Sequence, residues 1–282
     1  MSRQQSTTPA RKPLARRSLL CVLASTLLAG ALLTHSALAL AATSTLRVGI
    51  VGDEDVEVWK VVAAEAKKHG LIINTVAFSD YVVPNESLER GEIDANAFQH
   101  KPYLDNQIKS RGYHIVAVGY TAVWPIGLYS RKHASVASLP EGALVGVPND
   151  PSNEGRALLL LQEQGLIKLK AGSGILATVA DIAQNPKHIQ IKEFDAGIVG
   201  RSIDQLDAAV INTDWAIKSR IDPNKERIAQ EPIKGNPYAN FIAVRNADRN
   251  KPWVKTLVAA YQTEATKAAL AKFYNGTAVP AW

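Results

Sequence analysis

Hydrophobic positions in the first part of the chain change between strand-like runs and a helical period. Residues 46–52 form an apolar run that ends in glycine, and Val58, Val61 and Val62 then recur at helical spacing. Residues 71–78 are again typical of a strand. Short apolar runs separated by helical segments predict a layered α/β structure with a largely parallel sheet.

The stretch of residues 81–104 predicts a short helix, a strand and the start of a second helix. Pro84 disfavours helical backbone at the residue before it, so we expect Val83 to be extended and Asn85 to be the N-cap. Polar and aromatic side chains then crowd the end of the predicted strand, at Phe98, Gln99, His100 and Tyr103. Such a cluster at the carboxyl end of a strand in an α/β protein predicts a ligand crevice.

The second half of the chain repeats this alternation. Residues 121–130 are extended, which fits either a continuation of the sheet or a connection into a second lobe. Residues 143–147 predict a buried strand, residues 189–194 predict another strand, and residues 208–213 predict a third that is strongly apolar. Residues 251–274 predict one long amphipathic helix.

Arg156 lies in the first turn of the helix predicted after residues 143–147. A cation there opposes the helix macrodipole, so this arginine is a candidate clamp that would hold a carboxylate by two parallel hydrogen bonds. The alternative, which the residues alone favour, is a surface ion pair with Glu154 or Glu163.

Polar residues also follow two of the predicted strands. Asn212 ends an apolar strand, where it would contact a ligand or cap the helix that begins near Asp214. The cluster of Asp53, Glu54 and Asp55 follows the first strand. It would cap the first helix or bind a cation, and capping is the favoured interpretation.

Residues 1–41 have the architecture of a secretory signal peptide. They contain five basic residues and no acidic one, an apolar run at 19–33, and small residues suited to cleavage at 39–41. An anchor that is not cleaved is the alternative. The single cysteine, Cys21, follows bulky Leu20 with little apolar sequence before it. We therefore expect cleavage, no lipid anchor and a protein free in the periplasm.

Composition narrows the function. The formal net charge of +6 comes almost entirely from residues 1–41, because the remaining residues carry 27 basic and 26 acidic side chains. A nearly neutral body gives no support to nucleic-acid binding. No nucleophile elbow, phosphate loop or paired-histidine zinc motif occurs. We expect no catalytic residue, no metal and no cofactor, and favour binding over catalysis.

Several long motifs in a fixed order make the chain similar to a known family. They are YVVPN at 81–85, DANAFQHKPYL at 94–104, VPNDPSNEGR at 147–156, AVINT at 209–213 and NPYAN at 236–240. Over residues 46–282 the chain resembles the methionine-binding, NlpA lipoprotein-like family of substrate-binding proteins that serve ABC importers.

The resemblance implies a two-lobed α/β periplasmic-binding-protein fold, with crossing strands between the lobes and a ligand cleft between them. Residues 46–124 and 236–282 would form the first lobe, and residues 125–235 the second. Arg156 would bind the α-carboxylate of an amino acid. The amide residues that would bond its carboxylate or amino group are Asn153, Asn212 and Asn240. The side chains that would wall the thioether pocket are Tyr81, Phe98, His100 and Tyr103.

The implied function is that of a periplasmic monomer that binds L-methionine, or a close relative, and delivers it to a membrane permease driven by a cytoplasmic ATPase. D-methionine, a methionyl dipeptide or another hydrophobic amino acid is the alternative ligand. The alternative from another class is a periplasmic enzyme that acts on amino-acid-like molecules with His100 as its general base.

Overall fold

The computed structural model describes residues 44–282. The signal peptide predicted at residues 1–41, its cleavage site and Cys21 lie outside this part of the chain. From residue 44 to residue 111 strands and α-helices alternate, as the periodicity predicts.

The strands of the described residues are β1 (Ser44–Val51), β2 (Leu71–Phe78), β3 (Ala95–His100), β4 (Ile115–Tyr120), β5 (Ala122–Val123), β6 (Gly127–Tyr129), β7 (Leu144–Pro148), β8 (Lys168–Leu169), β9 (Ile182–Gln184), β10 (Gln190–Phe194), β11 (Ala208–Ile211), β12 (Arg227–Gln230), β13 (Asn240–Arg245) and β14 (Val279–Pro280). The α-helices are α1 (Asp53–Lys67), α2 (Val83–Glu89), α3 (Lys101–Arg111), α4 (Pro151–Glu163), α5 (Ala196–Val199), α6 (Thr213–Lys218), α7 (Pro252–Tyr261) and α8 (Glu264–Phe273).

The first five-stranded sheet has the order β2-β1-β3-β13-β4. Strand β1 pairs in parallel with both β2 and β3, whereas β13 pairs antiparallel with β3 and β4. The sheet is therefore mixed rather than largely parallel, because a strand from the end of the chain enters between β3 and β4. Strand β3 is buried along almost its whole length.

The second five-stranded sheet has the order β10-β7-β11-β6-β12. Strand β7 pairs in parallel with β10 and β11, and β6 pairs antiparallel with β11 and β12. The chain passes from the first sheet to the second between β5 and β6, and returns between β12 and β13. Strand β14 pairs with β5 and so lies against the first of these crossings.

Each sheet has its own hydrophobic core. Trp59 of α1 and Leu257 of α7 are buried in the first core, and Leu158 of α4 is buried in the second. A third apolar cluster combines both sides, because Tyr81 and Phe98 pack against a group that includes Trp215 of α6. The two sheets thus meet through aromatic side chains near the ends of β3 and β11.

The start of α2 differs from the sequence prediction. Val83 is the first helical residue, not an extended one, and Asn85 is not the N-cap. The carboxylate of Asp80 accepts hydrogen bonds from the backbone of Val82 and Val83 at 2.7 and 2.8 Å, and it satisfies the helix start in place of the predicted cap. Pro84 fits within the first turn because no hydrogen bond is required of its nitrogen there.

The helix predicted over residues 251–274 is two helices, α7 and α8. The chain leaves the helical conformation at Gln262, and Thr263 becomes the N-cap of α8 by accepting a hydrogen bond from the backbone of Thr266 at 3.1 Å. The apolar spacing continues across the break, so periodicity alone does not reveal it.

Candidate ligand-binding cavity

A cavity lies where the carboxyl ends of strands from both sheets meet. The space outside the protein atoms there is about 520 Å³, including a part that is open to solvent. Its wall includes all eight side chains predicted for the ligand site, namely Tyr81, Phe98, His100, Tyr103, Asn153, Arg156, Asn212 and Asn240. The structure therefore brings the eight together, and their contact with a ligand stays a prediction.

Aromatic rings form the wall on the side of the first sheet. The rings of Tyr81 and Phe98 stack with centroids 5.8 Å apart, and Tyr103 stands edge-on to both. The Tyr103 hydroxyl donates to the backbone oxygen of Tyr81 at 2.7 Å, which fixes the two rings relative to each other. Trp215 approaches Tyr81 from the second side, with ring centroids 5.4 Å apart. This wall offers polarisable, apolar contact.

His100 has both ring nitrogens engaged. Nδ1 accepts a hydrogen bond from the backbone of Tyr103 at 3.2 Å, so His100 is the N-cap of α3. The neutral ring then carries its proton on Nε2, which donates to Oδ1 of Asn153 at 3.3 Å. Burial, assisted by the nearby charge of Arg156, lowers the pKa of His100 to about 3. The ring is a neutral, oriented part of the wall.

The asparagines at the end of the second sheet form a chain of hydrogen bonds. Asp150 caps α4 and accepts from the side chain of Asn153 at 2.9 Å. Oδ1 of Asn153 also accepts from Nδ2 of Asn212 at 3.1 Å. Oδ1 of Asn212 is buried without a hydrogen-bond partner among the described residues. The Asn212 side chain does not cap α6, so the capping interpretation of this residue is wrong.

Arg156 is buried at 3% exposure, and its partner is Glu231, not Glu154 or Glu163. The expected surface ion pair is therefore wrong. Nε donates to Glu231 Oε2 at 2.9 Å, and Nη2 donates to the same carboxylate and to the backbone oxygen of Trp124 at 2.9 Å. The guanidinium also lies 4.3 Å from the ring centroid of Tyr238. Of its nitrogens, Nη1 makes no hydrogen bond within residues 44–282.

Glu231 ties Arg156 to both crossings between the sheets. Its Oε1 accepts from the backbone of Ile126 at 3.0 Å, in the first crossing, while Glu231 itself begins the second. Arg156 contacts the first crossing directly at Trp124. One edge of the guanidinium is thus fixed by the protein, and a carboxylate that binds Arg156 would have to approach Nη1.

Amide side chains support β3 from beneath the cavity. Asn85 and Gln99 exchange hydrogen bonds of 2.8 and 2.6 Å, and Asn96 donates to Asn85 at 2.9 Å. Asn240, at the start of β13, donates to the backbone oxygen of Phe98 at 2.9 Å. The buried amides are paired with each other, so they stabilise the strand that carries Phe98 and His100.

Two carboxyl groups in the wall were not among the predicted site residues. Asp55 is buried and accepts from the hydroxyl of Tyr274 at 2.7 Å. Asp214 accepts from the hydroxyl of Tyr81 at 2.8 and 2.7 Å. Burial raises the pKa of Asp55 to about 8 and that of Asp214 to about 6. Helix α1 has no side-chain cap, so the capping role expected of the acidic cluster is wrong as well.

No group of three or more His, Cys, Asp or Glu side chains within residues 44–282 is arranged to hold a metal ion. In the same residues, no helix has the length and apolar character needed to span a membrane.

The family model described as NlpA lipoprotein matches residues 46–282. The chain belongs to the NlpA lipoprotein family. The resemblance drawn from the sequence motifs is thereby confirmed.

Relatives of this NlpA-family chain agree in fold. It is 48% identical over 240 residues to the D-methionine-binding lipoprotein MetQ of Escherichia coli K12, covering 84% of this chain and 88% of the relative. A nutrient binding protein from Burkholderia cenocepacia bound to methionine is 52% identical, with a TM-score of 0.81 over 84% of this chain and all of the other. The crystal structure of the methionine binding protein MetQ is 48% identical, with a TM-score of 0.82 over 84% and 98%. The predicted two-lobed α/β fold is confirmed.

The family also corrects one expectation about the N-terminus. Both the family description and the Escherichia coli relative carry the word lipoprotein, which implies a lipid-anchored N-terminus. The expectation of no lipid anchor is therefore wrong. It relied on the residues next to Cys21, and local bulk at one position is weaker evidence than membership of a lipoprotein family. Cys21 itself lies outside the described residues.

Sequence reasoning missed several wall residues of this NlpA-family chain. Asp55 stood in a cluster noticed at the end of the first strand, and Asp214 stands two residues after Asn212, so their places at strand ends were a usable signal. Trp124, Tyr274 and Glu231 gave no such signal. They reach the cavity or Arg156 from crossings and from the C-terminal helices, which a linear pattern does not bring together.

Proposed function

We propose that this chain is the substrate-binding component of an ABC importer and that its cavity binds methionine or a close relative. The observation that carries the proposal is the joining of an aromatic wall from the first sheet with Arg156 and a chain of amides from the second, around one cavity. The names of the relatives, which refer to methionine, support the same ligand.

The chemistry of the wall suggests how the ligand lies. The α-carboxylate would approach Nη1 of Arg156, since the other nitrogens of that side chain are engaged. The amino group would donate to Oδ1 of Asn212, with Asn240 on the opposite side. The thioether would lie against Tyr81 and Phe98, because sulfur is polarisable and packs well on aromatic rings.

The proposal includes a binding role without catalysis. A general base needs a free nitrogen and a pKa near the working pH, whereas His100 uses both nitrogens and has a pKa of about 3. The relatives are named as binding proteins. Incubation with methionine followed by mass spectrometry tests this, since any product would contradict a pure binding role.

We further propose that a monomer delivers the ligand to a permease driven by a cytoplasmic ATPase. In this proposal residues 46–124 with 236–282 and residues 125–235 act as the two lobes. Each five-stranded sheet falls within one of these sets, which supports the boundaries. Closure would follow from tighter ligand contacts in the closed state than in the open one.

Calorimetry with L-methionine, D-methionine, a methionyl dipeptide and leucine tests the ligand. We expect L- or D-methionine to bind more tightly than leucine. Both Arg156→Ala and Asn240→Ala should cost about 2 kcal/mol or more of affinity, since each removes a polar partner that the bound ligand would bury. Mass spectrometry of a ligand that co-purifies would identify it independently. Binding of methionine at wild-type affinity by both variants would contradict the site, and no binding of any of these ligands would contradict the function.

A further inference from the structure

Asp55 and Asp214 face the cavity without a positive partner. Asp55 lies in the first turn of α1 and Asp214 in the first turn of α6. Their hydrogen-bond donors include the neutral hydroxyls of Tyr274 and Tyr81. No Lys, Arg or His nitrogen of residues 44–282 lies within 4.0 Å of either carboxylate. Asp55 is buried and Asp214 is half-buried. Carboxylates that are removed from water are normally paired, so this arrangement requires an explanation.

A second observation in the same cavity points to a ligand. Oδ1 of Asn212 is buried, with the residue at 8% exposure, and it accepts no hydrogen bond from the described residues. Its amide nitrogen is already used by Asn153, so the free atom is an acceptor that faces the cavity. An unpaired buried acceptor is costly unless a donor reaches it. Asn212 therefore lacks a donor in the same cavity in which the two carboxyl groups lack a positive partner.

The charges elsewhere in the wall do not meet that requirement. Arg156 is compensated by Glu231, and His100 is neutral. Glu54, the next acidic group, adds negative charge near Asp55 and Asp214, and Lys218 acts on Glu54 at a distance. With Arg156 balanced by Glu231, an ionised Asp214 leaves the cavity lining net negative.

We infer that Asp214, Asp55 and Oδ1 of Asn212 form an acidic wall that binds a positively charged nitrogen of the ligand. This inference rests on the proposed function, since it concerns how the same cavity selects its amino acid. An ammonium group supplies up to three N–H donors and a positive charge, which matches an amide oxygen that lacks a donor and two carboxyl groups that lack a positive partner. The nitrogen belongs either to the α-ammonium group or to the end of a side chain, and ligands with one, two or no amino groups distinguish the two.

Proton release is a signature of this contact. The titratable groups that face Asp55 are Tyr274, Tyr261, Glu54 and Asp214. Because the pKa of Asp55 is about 8, its carboxyl is mostly protonated at pH 7 in the free protein. A cation that binds beside it favours the ionised form and lowers that pKa, so binding should release a proton.

The first experiment compares three ligands by calorimetry. They are L-methionine, 4-(methylthio)butanoate, which lacks the amino group, and L-ornithine, which has a second one. We expect the wild type to bind its better amino-acid ligand at least tenfold more tightly than 4-(methylthio)butanoate. Asp214→Asn should weaken that amino acid at least tenfold and change the affinity for 4-(methylthio)butanoate less than threefold.

The ranking of the two amino acids identifies the nitrogen. If the α-ammonium group meets the acidic wall, methionine binds at least as well as ornithine and is the ligand that Asp214→Asn weakens. If the side-chain nitrogen does so, ornithine binds more tightly than methionine in the wild type and Asp214→Asn removes that preference. Both results support the acidic wall.

The second experiment counts protons. Titration of the better amino-acid ligand at pH 7 in two buffers of different ionisation heat should show release of a substantial fraction of a proton by the wild type, and less by Asp55→Asn. Asp248→Asn is the matched control, since Asp248 is a buried carboxylate that pairs with Arg245 outside the cavity. We expect it to bind and to release protons as the wild type does.

Two results would overturn the inference and leave the proposed function intact. One is wild-type affinity of Asp214→Asn for both amino acids, with no proton release by the wild type. The other is equal weakening of all three ligands by Asp214→Asn, since this would indicate general damage to the cavity. A wild type that binds neither of these amino acids, and none of the ligands tested for the proposed function, would overturn the proposed function and the inference with it.

Discussion

Arg156, on one side of the cavity, and the pair Asp55 and Asp214, elsewhere in its lining, are balanced in different ways. Arg156 and Glu231 neutralise each other through direct hydrogen bonds and are tied to the backbone of both crossings. Asp55 and Asp214, in the acidic wall, receive hydroxyl hydrogen bonds and no opposite charge within the described residues. Arg156 thus has its counter-charge within the protein, whereas Asp55 and Asp214 have none among the described residues.

The two groups therefore have different roles: the ion pair of Arg156 and Glu231 fixes geometry, and the carboxyl groups of Asp55 and Asp214 favour a positively charged ligand. A buried ion pair adds little net stability compared with an apolar pair, but it fixes geometry, and removing one partner is expensive. The pKa of a carboxyl group without a positive partner is instead raised by burial, and a cation that binds beside it would favour its ionised form. We therefore expect substitutions at Arg156 or Glu231 to lower the free energy of unfolding, and substitution of Asp55 to raise it.

The largest expected effect breaks the balanced pair. Arg156→Ala leaves Glu231 buried without a positive partner, which should lower the free energy of unfolding by about 3–5 kcal/mol. Urea unfolding measures it. Arg245→Ala is the control, because Arg245 pairs with Asp248 away from the cavity, and it should lower stability while leaving methionine affinity unchanged. Unaltered stability of Arg156→Ala would show that the pair does not hold the crossings.

A smaller effect of opposite sign is expected in the acidic wall. Below about pH 4 the Asp55 carboxyl is protonated in the folded and unfolded states, so it has no effect on stability. Between its ordinary pKa of 3.8 and the folded value of about 8, only the unfolded chain ionises, so stability falls as pH rises. Asp55→Asn removes this loss. The full difference in pKa corresponds to roughly 5 kcal/mol at pH 8, and we expect the variant to be more stable than the wild type by at least about 2 kcal/mol of this.

Chemical unfolding at pH 4 and pH 8 checks this second prediction. The wild type should lose more stability than Asp55→Asn between these two pH values. An equal loss in both proteins would mean that the Asp55 carboxyl is ionised in the folded state and has a partner.

The smallest expected effect is a change in the pKa of Asp214 when its hydroxyl donor is removed. The hydroxyl of Tyr81 lowers the pKa of Asp214 against the effect of burial, so Tyr81→Phe should raise that pKa further. Methionine affinity is measured between pH 5 and pH 8. The pH at which half of its pH-dependent change has occurred should move upward by about one pH unit, or about 1 kcal/mol. Tyr103→Phe is the matched control, since its hydroxyl bonds a backbone oxygen and should leave the midpoint in place.

The site was more predictable from the sequence than the partners of its residues. Phe98, His100 and Asn212 could be found because strand ends in α/β proteins gather polar and aromatic groups at one edge. The partner of Arg156 could not, since Glu231 lies 75 residues away and reaches it only through the second crossing. Local rules proposed nearby glutamates, which in the fold point elsewhere.

Local propensity failed where tertiary contacts were stronger. The preference of the residue before a proline for extended backbone predicted Val83 wrongly, because Asp80 satisfies the start of α2 and Asn85 is needed in the amide network beneath β3. The break between α7 and α8 was missed for a related reason. One capping threonine is enough to end a helix while the apolar spacing continues.

The hydrogen bonds between the two sides have a consequence for the population of closed molecules. His100 bonds Asn153, and Tyr81 bonds Asp214, so each bond joins the layer of the first sheet to that of the second. Each contributes about 0.5–1.5 kcal/mol net, and together they favour the closed arrangement about fivefold to over a hundredfold before apolar contacts are included. The free energy that a ligand must supply to close the cleft is smaller by the same amount. More of its binding free energy therefore remains to separate the affinities of different amino acids.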